Sequence, residues 1–181
     1  MTQFDPKLWK DRSWARLVKA CRGRVSDDPV VQKLEKKWYL ETVAISDMEK
    51  LLKWCNSRKL TVEFVVEQLG TYVMGKDKIR ISCRLSPRKQ VVILLHECGH
   101  HLCGVSDTYG RFLAGYSESN LNQLKSFRHR LSCLEEEVES WNRGWKLSSK
   151  LGLSIDRSYF DEVRSDCLRS YVKWAANPNE V

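Results

Sequence analysis

The chain has 181 residues, 42% of them hydrophobic and 30% charged, with a formal net charge of +8. That length suits one domain able to bury a core, and the composition excludes a disordered or fibrous protein. The longest apolar run, Val91 to Leu95, is far too short to cross a bilayer, and the N-terminus lacks the apolar stretch of a secretory signal, so an intracellular, cytoplasmic protein with no membrane contact is expected.

The charge is uneven. Residues 1 to 24 hold seven Lys or Arg against Asp5 and Asp11, interleaved with Trp9 and Trp14. Such a segment could touch nucleic acid or an acidic partner, although charge runs more often simply face water. Leu8 to Cys21 has the spacing of a basic amphipathic helix, and a second helical stretch is expected over Val30 to Tyr39. Residues 1–44 therefore form a basic helical N-terminal segment, and 45–181 the main domain. Ser46-Asp47-Met48-Glu49 has the form of a capping box, predicting a helix from Asp47 to about Arg58.

The next stretch, LTVEFVVEQLGTYVMGKDKIRISCRL, is rich in β-branched and aromatic residues and is cut by Gly70 and Gly75. It predicts three short strands near 61–67, 71–74 and 78–84, the last two as a hairpin, in a small, mainly antiparallel sheet. Ser86 offers an N-cap, Pro87 a first helical residue and Gly104 a residue just past a helix end, bracketing a helix from Pro87 to Cys103. A loop over 104–119 follows. Residues 120 to 151 then predict a long polar helix with an apolar stripe of Leu124, Phe127, Leu131, Leu134, Val138, Trp141 and Trp145. Gly152 ends it, and a last helix, capped by Asp156, runs from Arg157 to about Ala175.

The chemistry is concentrated in VVILLHECGHHLCG, residues 91 to 104, which holds three of the four histidines. Residues four apart on a helix share a face, so His96 and His100 can both aim imidazoles at one ion. Zinc takes such nitrogen ligands and in catalytic sites leaves one position to water. Glu97 lies about 100° further round, beside the ion without binding it, where a carboxylate can take a proton from the zinc-held water and pass it to the leaving amine. His101 stands about 140° from His96 and is assigned to packing. Gly99 in a helix costs about 1 kcal/mol relative to Ala, which predicts another element passing close over it.

A third ligand must come from elsewhere. His129 sits between Arg128 and Arg130, whose charges oppose a cation. The acidic run Glu135-Glu136-Glu137-Val138-Glu139 is better placed. Glu136 points away from the expected stripe and Glu139 lies to one side, while Glu135 and Glu137 flank it, and spacing alone does not choose between those two. Tyr109 and Tyr116, in the loop after the motif, are candidates for stabilising an oxyanion. The seven cysteines are odd in number and form no C-x-x-C pair, so they read as reduced thiols rather than a disulfide framework or a zinc cluster.

With strands leading into the H-E-x-x-H helix and a later helix reading EEEVESWNRGW, the chain resembles a small zincin metallopeptidase of the gluzincin kind. It is similar to the compact ImmA/IrrE-like peptidase domains and, less closely, to SprT-like ones, over roughly residues 45 to 151. The resemblance implies an α+β minimal zincin domain: the sheet, the active-site helix and further long helices. It also implies Glu137 as third ligand, because Glu137-Val138-Glu139-Ser140-Trp141 best matches the E-x-x-A form of that family's late helix, with Ser140 in the place of alanine. Expected, then, is a zinc-dependent protease acting on a protein or peptide, with His96, His100 and Glu137 on the metal and Glu97 as base. The alternative is a catalytically silent protein of this fold that binds nucleic acid or an acidic partner through its basic N-terminal segment. No helix-turn-helix module and no cysteine-rich zinc tail accompany the motif, so the resemblance supplies no substrate.

Overall fold

No proline or glycine interrupts residues 30 to 57, and in a computed structural model of the chain they belong to one helix, α1 (Pro29–Ser57). The structure describes residues 29–66, 69–73, 76–106, 112 and 126–177. The expected capping box at Ser46 is therefore corrected: Ser46 is exposed in the middle of α1. The reason is packing. Ala44, Ile45, Met48, Leu51 and Cys55 form one buried stripe, and helix continuity across it outweighs a local capping signal. The expected division at residues 44 and 45 falls within this helix, while residues 1–28, including most of the basic segment, lie outside the described residues. α1 is closed off by Lys59, two residues past its end, whose φ of 60° allows the Leu60 N–H to reach back to the Cys55 carbonyl at 2.9 Å.

Three strands follow: β1 (Thr61–Val65), β2 (Gly70–Val73) and β3 (Lys78–Ser82). The hairpin forms as expected, Gly70 to Val73 pairing antiparallel with Ile81 to Lys78. The sheet as a whole is mixed rather than mainly antiparallel, because β1 takes the other edge of β3 and runs parallel to it, Thr61 opposite Lys78 and Val65 opposite Ser82. About a dozen residues, the least a parallel crossover needs, separate β1 from β3, and β2 occupies part of them. β3 is central because it carries the most buried pair, Ile79 and Ile81.

α2 (Pro87–Gly104) begins as its sequence predicts, with Ser86 accepting the Lys89 N–H and Pro87 in the first turn. Gly104 is its last residue rather than the one beyond, and Val105 caps it. Gln90 fixes α2 to the sheet by donating to the Ser82 carbonyl at 3.0 Å. Val91 to Leu95 and Cys98 are fully enclosed among α1, the sheet and the two helices that follow.

α3 (Phe127–Lys150) packs along α2, and here the expected stripe holds at Trp141 and Trp145 but is corrected before them, Leu124 lying outside the described residues. Phe127 is 68% and Leu131 45% exposed, whereas the buried face is Ser132, Glu137, Ser140, Trp141, Gly144, Leu147 and Ser148, with His129 near its start. Small residues face inward because the helices touch backbone to backbone. A Cβ on Gly99 would lie 1.9 Å from the Ser140 carbonyl oxygen, and one on Gly144 would lie 2.6 Å from that of Leu95. α4 (Arg157–Ala176) is capped by Asp156 and sets Phe160 edge-on against Trp141, ring centres 5.4 Å apart. α1 ties the turn between α3 and α4: Asp47 accepts the Ser154 N–H at 2.8 Å and Lys50 donates to the Gly152 carbonyl. The described residues thus make an α+β fold of four helices and a three-stranded mixed sheet, and none of these helices is long and apolar enough to cross a membrane.

Candidate metal centre

His96 and His100, one turn apart on α2, bring their Nε2 atoms to 3.2 Å from each other. Glu137 on α3 reaches the same point: Oε2 lies 3.2 Å from His96 Nε2, and Oε1 lies 3.3 Å from His100 Nε2. These three residues form a group whose ligand atoms all fall within 4.8 Å of one another, and which could hold a metal ion.

The rings are oriented from behind. His96 stacks on Trp141, ring centres 4.3 Å apart and planes 18° from parallel. The Nδ1 of His100 lies 3.1 Å from the Ser140 hydroxyl and 3.5 Å from Glu136 Oε1, an arrangement that places the ring proton on Nδ1 and leaves the Nε2 lone pair facing the cluster. Two imidazole lone pairs and a carboxylate meeting at such distances, with His96 and Glu137 buried and His100 partly so, repel unless a cation lies among them. In the metal-free chain a proton does this work. Burial by itself lowers the His100 pKa, but hydrogen bonds to Glu136 and Glu137 and the charges of Glu137 and Glu97 outweigh it and raise the value to about 10. Glu137 is held well below the ordinary carboxylate range: burial opposes this, and the two histidines overcome it. The donor set of two imidazoles and one carboxylate fits zinc and other imidazole-binding divalent ions.

Glu97 sits beside the group. Burial raises its pKa, the neighbouring imidazoles pull it down, Glu137 pushes it up, and the backbone N–H of Tyr72 donates to it. β2 passes directly over it, since a Cβ on Gly70 would lie 2.6 Å from Glu97 Oε1.

The remaining sequence candidates separate cleanly. Glu135 is exposed and lines a different cavity with Phe112, Leu134 and Val138. Glu136 faces His100 from behind, so Glu137 is the one carboxylate of the three in the group. His101 turns to the opposite side, where it meets the Tyr72 hydroxyl at 3.3 Å and the edge of Trp54. Burial lowers the His101 pKa and raises that of Tyr72, so a neutral imidazole accepts from a protonated phenol. His129 is not in the group; it lies in the first turn of α3 beside Cys133 and Trp174. Tyr109 and Tyr116 fall outside the described residues.

One residue was missed. Tyr171, near the end of α4, hydrogen bonds to Glu137, and burial, then the Glu137 charge and that hydrogen bond, raise its pKa, so the phenol keeps its proton. The signal was present in the spacing of Phe160, Val163, Cys167 and Tyr171, which share one helix face. The group opens onto a cleft of about 500 Å³ floored by α2 and walled by β2 and α4. Family models, curated proteins and solved structures give no match to this chain.

Proposed function

We propose that the chain is a zinc-dependent metallopeptidase of minimal zincin form, hydrolysing peptide bonds in the cleft between β2 and α4. The observation that carries this reading is the convergence of His96, His100 and Glu137 with Glu97, a buried carboxylate outside the ligand group, directly alongside. A site for binding alone has no use for a second carboxylate with a raised pKa; a hydrolytic one needs it as base.

A zinc ion held there would polarise the scissile carbonyl and make water acidic enough to attack. Glu97 then takes the proton of the attacking water and returns it to the leaving amine; its raised pKa brings it closer to neutrality, where such an exchange is efficient. The Tyr72 N–H keeps the Glu97 carboxylate in place. Tyr171, protonated at the cleft wall, is a donor that can turn from Glu137 to the carbonyl oxygen as it gains negative charge. Ser140 and Glu136 keep His100 in one tautomer.

Metal analysis and a cleavage assay on three proteins test this. The wild type is expected to hold about one zinc per chain and cleave a peptide library, Glu97→Gln to hold zinc without cleaving, and His96→Ala to lose both. Cleavage that survives Glu97→Gln overturns the reading.

A further inference from the structure

The cleft runs along one face of α2 from His100 through Glu97 and Ile93 to Lys89. Its charges are not equally committed. Glu137 and Glu97 face the histidines, Glu136 is engaged with His100, and Asp166 pairs with Arg169 at 3.1 Å. Lys89 is different: partly buried in the cleft wall, it forms no ion pair among the described residues. Cys167 of α4 lines the same cleft; burial raises its thiol pKa and the Lys89 charge acts against that rise.

We infer that Lys89 is a specificity residue of this cleft and selects peptides carrying a carboxylate at a fixed distance from the bond that is cut. This rests on the peptidase reading for what is cut, though not for what is bound. Lys89 lies about nine residues along the helix from the midpoint of His96 and His100, roughly 13 Å at 1.5 Å per residue. An extended peptide rises about 3.3 Å per residue, so the selected carboxylate stands about four residues from the scissile bond. Between the two points the apolar surface is that of Leu69, 45% exposed, with Ile93 buried beneath Gly70. The preferred substrate segment therefore has an apolar side chain near the cut and an acid beyond it. A cation half out of water discriminates between charges by only a modest factor, which sets the scale of the test.

The test is a series of labelled peptides in which one Glu, Gln or Lys is walked outward from a fixed central pair, each made with a free and with an amidated C-terminus. Binding to the metal-free protein is read by fluorescence anisotropy, and cleavage by the zinc-loaded protein as kcat/KM, for the wild type and for Lys89→Glu. The expected result is about a fivefold preference for Glu over Lys at one position in the wild type, inverted by Lys89→Glu. Dependence on the free C-terminus would assign the carboxylate to the chain end instead of a side chain and would support the same role. The same ranking of peptides by both proteins overturns the inference. Charge-selective binding without any cleavage would remove the peptidase reading and leave Lys89 as a docking cation, whereas cleavage without charge selection would do the reverse. Because Lys89 is in the first turn of α2, where an acid suits the helix dipole, the variant is expected to fold.

Discussion

Gly99 lies against the backbone carbonyl of Ser140, so close that a Cβ there would stand 1.9 Å from the oxygen. The obstacle is main chain, which cannot rotate aside, and the helices at that crossing carry His96 and His100 on one side and Glu137 on the other. Gly99→Ala is therefore expected to destabilise the fold by about 3 kcal/mol or more, despite the better helix propensity of alanine. Gly104→Ala, where a Cβ meets nothing within 4 Å, is expected to be neutral or slightly stabilising. Denaturant unfolding followed by circular dichroism separates the two; equal midpoints would show that the helices can part without cost.

Ser140 also acts through its hydroxyl. It stands 3.1 Å from His100 Nδ1 and is completely buried. Ser140→Ala removes that hydrogen bond with little change in packing, and among the described residues leaves Glu136, at 3.5 Å, as the partner for that nitrogen. The expected outcome is a loss of about tenfold in zinc affinity, measured by competition with a chelator, with the melting temperature of the metal-free protein nearly unchanged. Ser140→Ala together with Glu136→Gln is expected to cost more than the sum, since each covers for the other. An affinity indifferent to both changes would mean that the ring is held by Trp141 packing alone.

What the sequence discloses and what it conceals differ by the range of the interaction. Ser86 and Pro87 mark a helix start because a cap concerns neighbouring residues only, and the four-residue spacing of His96 and His100 follows from helix geometry. Gly99 could be read as a close approach, since a glycine inside a helix is costly without one. The failures are all non-local. Ser46 looks like a cap until the stripe from Ala44 to Cys55 is seen to pass through it. The first half of α3 buries a different face from the one that large apolar side chains such as Phe127 and Leu131 predict, because the close crossing with α2 selects serine and glycine. Measured against the predicted face, Glu135 and Glu137 are equivalent by spacing. Strand order depends on which edge of β3 the first strand takes, and nothing within Thr61 to Val65 records it.

The metal-free protein has a pH dependence whose sign follows from the pair at its centre. His100 titrates at about 10 in the folded chain, against roughly 6.5 when unfolded. A raised folded-state value means that its stabilisation is fully present below about pH 6.5 and is lost as pH rises through about 10. Glu137 moves oppositely: its depressed value means stabilisation present above about pH 4.3 and lost as pH falls. Melting temperature in the presence of chelator is thus expected to be highest between about pH 5 and 6.5 and to decline steadily toward pH 10. In His100→Asn the alkaline decline should flatten. Zinc, taking the place of the proton, should flatten it as well. An identical alkaline slope in wild type and variant would place the responsible group elsewhere.

Tyr171 makes the most direct distinction between catalysis and structure in the cleft. Its hydroxyl bonds to Glu137 while the residue lines the cleft and is 36% exposed, so removing the oxygen alone leaves the ring and the fold in place. A structural role predicts that Tyr171→Phe weakens zinc binding, because Glu137 loses a partner. A role in stabilising the developing oxyanion predicts unchanged zinc and an unchanged KM, with kcat down by about a hundredfold. The second outcome is expected, since Glu137 keeps both histidine contacts, at 3.2 and 3.3 Å, without the phenol. Measuring zinc content, KM and kcat on one preparation decides it, and a fall in zinc affinity with kcat per bound zinc intact would reduce Tyr171 to a support for its neighbour.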